Sequence, residues 1–342
     1  MSSVSARIRK LHRDPEQFLR DARSPVLRVV GSALTRAVRG RAWTPDWDHE
    51  LAELVASTPL ADAYSSRARR RRRQRRRLVT DHGEPKVSVV MAAQNASATI
   101  ESAIGSLLSQ SYRELEVVVV DDASDDATAS VVAQIDDERL RVVCRARAGG
   151  AGRARNDGLA AATGRFITFQ DADDTAHPER LERQLAGLLG NPGARVCVSN
   201  GRRVDGAGRP VRVNGRVDRK AVISMMFSRE TFDALGYFMP LVVGEDSEYL
   251  ERIKTVYGRH TELRLYTPLY FAGFRPDSLL FSHGDTVVAA GGDVRHERSP
   301  EAERCRREAQ EFHARISRGD VSPYVDRGPT QSRGSSSPGA PI

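Results

Sequence analysis

From Lys86 onward the sequence alternates four times between a short apolar segment and a segment with helical character. The apolar segments read KVSVVMAAQ, LEVVVVDD, LRVVC and RFITF, and short connections join them to the helical ones. A continuously apolar strand is typical of a sheet covered on both faces, and helical crossovers make neighbouring strands parallel. We therefore predict an α/β fold with a doubly wound, mostly parallel sheet flanked by helices. Ligands of such a sheet bind beyond the carboxyl ends of its strands.

The pattern divides the chain into four regions. The α/β domain is expected over 86–293, and the helices after its fourth strand include LERQLAGLLG and GEDSEYLERIKTVYG. The GRRVDGAGRPVRVNG stretch between them reads as a polar excursion. Weak helical periodicity over 1–66 and an arginine-rich run with a linker over 67–85 precede the domain, and a charged helix with a Pro/Gly/Ser-rich tail over 294–342 follows it.

Composition excludes several classes of protein. The 342 residues with 39% hydrophobic content can build a real core, yet the chain has no run of 18 apolar residues to span a membrane. The N-terminus lacks the apolar stretch of a secretory signal. The three cysteines are scattered outside any CxxC spacing, which fits a reducing compartment. We therefore expect a cytoplasmic protein.

The arginine-rich run, residues 67–77, carries most of the basic character. It contains nine arginines, so the rest of the chain has a net charge of −1 although the total is +8. We expect such a run to be extended and solvated, and it could hold the protein at the inner, anionic face of a membrane. A functionless linker fits equally well. Binding of nucleic acid is disfavoured, because no aromatic side chains interleave the run for base stacking.

Carboxylates follow two of the predicted strands at the binding edge of the sheet. Asp121 and Asp122 end the second strand, and Asp171 and Asp173 end the fourth. Oxygen ligands of this kind suit Mg²⁺ or Mn²⁺, which leave positions open for phosphate oxygens. The chain has no Walker A motif, which excludes a P-loop site, and no GxGxxG at the first helix, which disfavours a dinucleotide site.

Three stretches together resemble the motifs of family-2 glycosyltransferases with the GT-A fold. They are VSVVMAAQNASATIESAIGSLLSQSYRELEVVVVDDASDD, RARNDGLAAATGRFITFQDADDTAHPERL and GEDSEYLERI, in matching order and spacing. The resemblance implies a nucleoside-diphosphate sugar as donor, a glycan or lipid-linked acceptor, and a Mn²⁺ or Mg²⁺ cofactor. The first loop departs from the family pattern, because Ala92 and Gln94 stand where proline and an aromatic residue are usual. The identity of the donor therefore stays open.

The resemblance also implies roles for individual residues. Asp122 would hydrogen-bond the nucleotide base, Ala92 would begin the loop on the nucleotide side, and Asp171 would reach the ribose or the metal. Asp173 would be the direct metal ligand. Asp246 would be the general base on the acceptor hydroxyl, and a single base with in-line attack implies inversion at the anomeric carbon.

Four basic residues complete the expected site. We expect Arg153 and Arg155, in a loop before Asn156, to hold the diphosphate. Arg275 resembles a late basic position of the family and is expected to bind the donor. His283 is expected to complete the metal shell.

Other interpretations remain open from the sequence. Asp171 and Asp173 could form a surface turn, Asp122 could cap the helix of SDDATASVV, and Asp246 could be an acidic helix start. At the level of function, the domain could be an inactive scaffold that binds partners through residues 67–77. A sugar nucleotidyltransferase would need a Gly-rich signature with a basic residue after the first strand, and MAAQNASAT does not supply it.

Overall fold

The structure is a computed structural model. It describes residues 83–206, 208–274, 286–288, 293–296 and 299–328. Several predictions fall outside these residues: the N-terminal extension 1–66, the arginine-rich run 67–77, Arg275, His283 and the end of the tail.

The first half of the domain follows the predicted alternation of strands and helices. Its elements are β1 (Val87–Ala93), α1 (Ile100–Leu108), β2 (Leu115–Asp121), α2 (Thr128–Ala133), β3 (Leu140–Cys144), α3 (Ala151–Ala161) and β4 (Phe166–Phe169). The four strands pair in parallel in the order β3, β2, β1, β4. Every residue of β2 is buried, as its continuously apolar sequence predicts.

The second half of the sheet mixes strand directions. Its elements are β5 (Thr175–Ala176), α4 (Arg180–Leu189), β6 (Val196–Val204), β7 (Pro210–Val213), β8 (Asp218–Lys220), β9 (Met226–Ser228), α5 (Arg229–Leu235), α6 (Glu245–Tyr257), β10 (Glu262–Gly273), β11 (Thr286–Val288), β12 (Asp293–His296) and α7 (Pro300–Arg318). Strand β9 lies antiparallel between β4 and β6, while β10 runs parallel to β6 and antiparallel to β5. The stretch expected to be a polar excursion is partly a hairpin, because β6 extends to Val204 and pairs with β7.

Helices cover both faces of the sheet. On one face, Val89 and Met91 of β1 join a core with α1 and α4. On the other face, Val90 joins a core with α3, α5 and α6. Alternate residues of a strand point to opposite faces, so one apolar strand serves both cores. The doubly wound α/β arrangement predicted from the sequence is confirmed.

The chain after α6 packs back onto the domain. Cys305 and Ala309 of α7 are buried against Leu241, in the loop before α6. Beyond α7, residues 319–328, here called the docked segment, pair with the end of α5. The Val325 N–H donates to the Leu235 carbonyl at 3.0 Å, and the Val325 carbonyl accepts from the Tyr237 N–H at 2.9 Å. Among the described helices, none combines the length and the apolar composition needed to cross a bilayer.

Gly236 permits this pairing and provides a test of it. Its φ of 70° and ψ of −140° lie in a region that is essentially restricted to glycine. A Cβ added there would also stand 2.2 Å from the Val325 carbonyl oxygen. We expect Gly236→Ala to lower the free energy of unfolding by about 2 kcal/mol or more, from backbone strain and displacement of the docked segment. Urea unfolding measures this difference.

The matched control is Gly105→Ala, in the exposed middle of α1, where an added Cβ meets nothing within 4 Å. This substitution should stabilise the protein by about 0.5–1 kcal/mol, because alanine loses less backbone entropy in a helix. Equal effects of the two substitutions would contradict the role assigned to Gly236.

Candidate active site

Three carboxylates follow β4 at the edge of the sheet where the parallel strands end. One oxygen from each of Asp171, Asp173 and Asp174 lies within 4.8 Å of the others. Burial, reinforced by the charges of Asp173 and Asp171, raises the pKa of Asp174. A cluster of this composition favours a hard divalent cation, which relieves the mutual repulsion through oxygen ligands. The donor set therefore fits Mn²⁺ or Mg²⁺.

Strand β10 packs against the turn 171–174, which carries these three carboxylates. The Tyr270 hydroxyl accepts a hydrogen bond from the Asp171 N–H at 3.0 Å and also bonds the Asp174 carboxyl. The Gly273 N–H donates to Asp174 Oδ1 at 2.9 Å. A side chain at Gly273 would lie 2.9 Å from the Asp173 carbonyl oxygen, so the two backbones touch. Asp174 is therefore buried and fixes the turn through its hydrogen bonds to β10. Asp171 and Asp173 are half-buried and remain partly accessible to solvent.

Arg155 joins this turn to the start of α6. Its Nη2 contacts Asp171 Oδ1 at 2.6 Å, and its Nη1 forms an ion pair with Glu245, the first residue of α6. Burial disfavours a charged guanidinium, but the attraction of Asp171, Glu245 and Asp246 outweighs it and raises the pKa of Arg155. The bridge therefore fixes the acidic end of β4 against the N-terminus of α6.

Asp246 lies next to this bridge. It is half-buried, and its Oδ1 accepts a hydrogen bond from the Ser247 N–H at 2.6 Å. Burial and the charge of Glu245 raise the pKa of Asp246 to about 6, although Arg155 acts in the opposite direction. A carboxylate with this pKa is ionised at neutral pH and remains a stronger base than an exposed aspartate.

Asp122 follows β2 and is buried. Its carboxylate forms an ion pair with Arg145 and accepts hydrogen bonds from the N–H groups of Gly149, at 3.0 Å, and Gly150, at 2.7 Å. It does not cap α2. The N-cap of α2 is Ala127, which has no side-chain cap hydrogen bond, and the carboxylate of the preceding Asp126 accepts from the Thr128 N–H at 2.9 Å. Asp122 instead holds the turn that leads into α3.

The structure corrects the local setting of three expected residues. Ala92 lies within β1, paired with Val120 of β2, and does not begin a loop. Arg153 and Arg155 lie on α3 and not in a loop, because the helix starts directly after Gly150. Arg153 is exposed, whereas Arg155 is buried in the bridge. The guanidinium of Arg155 is engaged by two carboxylates, whereas the sequence predicts that it holds a diphosphate.

The site contains several residues whose roles the sequence motifs do not indicate. Glu245 directly precedes Asp246 in GEDSEYLERI, so its position in the sequence is a signal for a place in the site. Asn156 is buried and exchanges hydrogen bonds with the backbone of Phe238, at 2.9 and 3.1 Å, which fixes the loop before α6. The sequence does not indicate that Tyr270 belongs to the site, because an aromatic residue in a strand usually indicates core packing alone.

Comparisons with known proteins agree with this arrangement. Residues 88–245 match the sequence model of the family described as Glycosyl transferase family 2. The succinoglycan biosynthesis protein ExoO of Rhizobium meliloti is 45% identical over 129 residues, which are 38% of this chain and 37% of ExoO. The Escherichia coli UDP-Glc:alpha-D-GlcNAc-diphosphoundecaprenol beta-1,3-glucosyltransferase WfgD is 41% identical over 105 residues, 31% of this chain and 42% of WfgD. The chain thus spans about two fifths of the length of these curated relatives.

Among solved structures, TarS of S. aureus in complex with UDP-GlcNAc superposes with a TM-score of 0.52. It is 21% identical, and the match covers 69% of this chain and 71% of that one. At this identity the likeness concerns the fold, and the fold is the GT-A type that the sequence predicts.

A double-mutant cycle tests the Arg155 bridge. We expect Arg155→Met to lower the free energy of unfolding by about 3–5 kcal/mol, because it leaves Glu245 buried without its cation. In the background of Glu245→Gln, the same substitution should cost at least about 1 kcal/mol less. Denaturant unfolding of the four proteins measures the coupling. Arg153→Met, on the exposed side of the same helix, should change stability by less than about 0.5 kcal/mol. Additive effects of Arg155→Met and Glu245→Gln would contradict the bridge.

Proposed function

We propose that this chain, whose residues 88–245 belong to glycosyl transferase family 2, transfers a sugar from a nucleoside-diphosphate donor to an acceptor hydroxyl. The observation that carries the proposal is the Arg155 bridge. It brings together two acidic groups with different tasks: the carboxylates that end β4 and the half-buried Asp246 at the start of α6.

Asp173 and Asp171 would hold the divalent cation, and Asp174 would orient them from behind. When bound, Mn²⁺ or Mg²⁺ neutralises the diphosphate leaving group and so lowers the cost of breaking its bond to the sugar. Asp122 would contact the nucleotide base at the end of β2, and Arg153 would reach the phosphates from the exposed side of α3. Arg275 and His283 remain candidates for the donor and metal shells, and they lie outside the described residues.

Asp246 would take the proton of the acceptor hydroxyl as its oxygen attacks the anomeric carbon. The bond to the acceptor oxygen forms as the bond to the donor phosphate oxygen breaks, and the nucleoside diphosphate leaves. With one base and no covalent enzyme intermediate, attack opposite to the leaving group inverts the anomeric configuration. The raised pKa of Asp246 supports this role, because a general base works best when its pKa is near the working pH.

The acceptor is proposed to be a glycan or a lipid-linked saccharide in the synthesis of a cell-envelope or secreted polysaccharide. Two relatives support this class by their descriptions: a succinoglycan biosynthesis protein and a glucosyltransferase acting on a diphosphoundecaprenol-linked sugar. The first screen is hydrolysis of UDP-, GDP- and dTDP-sugars in the presence of Mn²⁺. Absence of turnover or binding with all three donor classes would favour the inactive scaffold.

Asp173→Asn tests the metal site. The amide keeps the shape of the side chain but removes the charge that a hard cation requires, so we expect metal-dependent nucleotide binding to weaken at least about tenfold. Calorimetric titration of UDP and GDP, each with and without Mn²⁺, measures the effect. Asp233→Asn, on α5, is the control of equal chemistry and should bind like the wild type. If Asp173→Asn also binds normally, Asp173 is not a metal ligand.

Asp246→Asn tests the general base. We expect turnover to fall by a factor on the order of 10² or more while donor affinity stays nearly constant, because the amide cannot accept the hydroxyl proton. The wild-type kcat/KM should rise about tenfold per pH unit below pH 6 and level off above it, because Asp246 acts only when ionised.

The anomeric configuration of the product, read by NMR against that of the donor, tests inversion in the same reaction. Retention would exclude the single-displacement mechanism. An equal loss of donor affinity in Asp246→Asn would show instead that the residue shapes the donor site.

A further inference from the structure

A row of alternating charges leads from the end of β2 to the docked segment. Asp122 pairs with Arg145, and Arg145 Nε lies 2.8 Å from Asp157 Oδ2. The other oxygen of Asp157 lies 2.8 Å from Nη2 of Arg327, which is 170 positions further along the chain. The side chains of Asp122, Arg145 and Asp157 are 3, 4 and 9% exposed, and that of Arg327 is 30% exposed.

We infer that Arg327 is a positioning residue of the donor site, acting through Asp157 and Arg145 on the Asp122 carboxylate. The docked segment would thereby set the affinity for the donor nucleotide. This inference rests on the proposed function, because it takes Asp122 as the contact of the nucleotide base.

Arg145 is shared between Asp122 and Asp157. One guanidinium serves two buried carboxylates, and charges in a buried environment interact more strongly than they would in water. Arg327 supplies Asp157 with a second cation, so Asp157 competes less for Arg145. Without Arg327, Asp157 attracts Arg145 more strongly and withdraws it from Asp122.

Movement of Arg145 would reach the turn before α3. A Cβ added to Gly149 would stand 2.4 Å from Arg145 Nη1, so the guanidinium lies directly against the Gly149 backbone. The N–H groups of Gly149 and Gly150 are the other donors to Asp122. A shift of Arg145 therefore loosens all three contacts that orient this carboxylate.

Arg327 is preorganised for this contact by the backbone around it. Both the N–H and the carbonyl of Val325 form hydrogen bonds with backbone groups at the end of α5. The Pro323 carbonyl accepts from Nη1 of the buried Arg252 on α6, at 3.2 Å. Arg327 follows two residues after Val325, so it reaches Asp157 from a fixed backbone and loses little entropy on pairing.

The test compares Arg327→Gln with the wild-type full chain. Amide hydrogen exchange, measured by mass spectrometry, should accelerate about fivefold or more in peptides covering 145–152 and stay constant in those covering β1. Binding of UDP, GDP or dTDP with Mn²⁺, whichever the wild type binds, should weaken about fivefold, with kcat unchanged at saturating donor. Arg327→Lys should restore part of both effects.

The control is Arg318→Ala, at the last residue of α7. It removes an arginine whose Nε lies 2.8 Å from Asp320 Oδ2 and not beside Asp157. Because Asp320 lies at the start of the docked segment and this ion pair is largely exposed, Arg318→Ala should leave exchange at 145–152 and nucleotide binding unchanged. Unchanged exchange at 145–152 in Arg327→Gln would overturn the inference. Acceleration across the whole sheet together with a lower Tm would also overturn it, because Arg327 would then act only on stability.

The exchange measurement needs no nucleotide. If the wild type binds none of the three nucleotides, the proposed function fails while the link from Arg327 to the 149–150 turn is still tested. If nucleotides bind but Arg327→Gln leaves exchange at 145–152 unchanged, the link fails and the proposed function stands.

Discussion

The site depends on a buried arginine held between carboxylates from two distant parts of the chain. Arg155 contacts Asp171 at the end of β4 and Glu245 at the start of α6. Desolvating a guanidinium is costly, and the cost is met here only because two anions are fixed on either side. The same pairing makes it possible to bring the carboxylates after β4 and a helix N-terminus rich in carboxylates into one place.

The surrounding structure supports this bridge from several sides. Tyr270 and Gly273 of β10 hold the β4 turn, and Asn156 holds the loop before α6. Because Asn156 follows Arg155 on α3, one helix positions both halves of the site. Further along α6, Glu248 and Arg252 form a buried ion pair. Arg252 also donates to the Pro323 carbonyl and so links α6 to the docked segment. Charged groups in the interior thus specify how the elements fit, while apolar contacts supply most of the stability.

The sequence predicts the frame of the site because that frame follows local patterns. Continuous apolar runs identify β1 and β2, and a parallel sheet brings their ends to one edge. The prediction that Arg153 and Arg155 lie in a loop was wrong, because the Gly-rich loop ends at Gly150, whose φ of 85° lets α3 begin directly at Ala151. The partners of Arg155 and Arg327 could not be predicted, because charged residues are usually exposed and pairs 90 or 170 positions apart leave no periodic signal.

The central claim is that the end of β4 and the start of α6 form one catalytic cleft around a metal-bound donor. The most direct measurement is a crystal structure with Mn²⁺ and a nucleoside diphosphate, using anomalous scattering to locate the metal. We expect one manganese peak beside Asp173, the diphosphate against it, and Asp246 facing the same cleft with Arg155 still bridging Asp171 and Glu245. A metal bound away from Asp171 and Asp173, or Asp246 directed away from the nucleotide, would contradict the account.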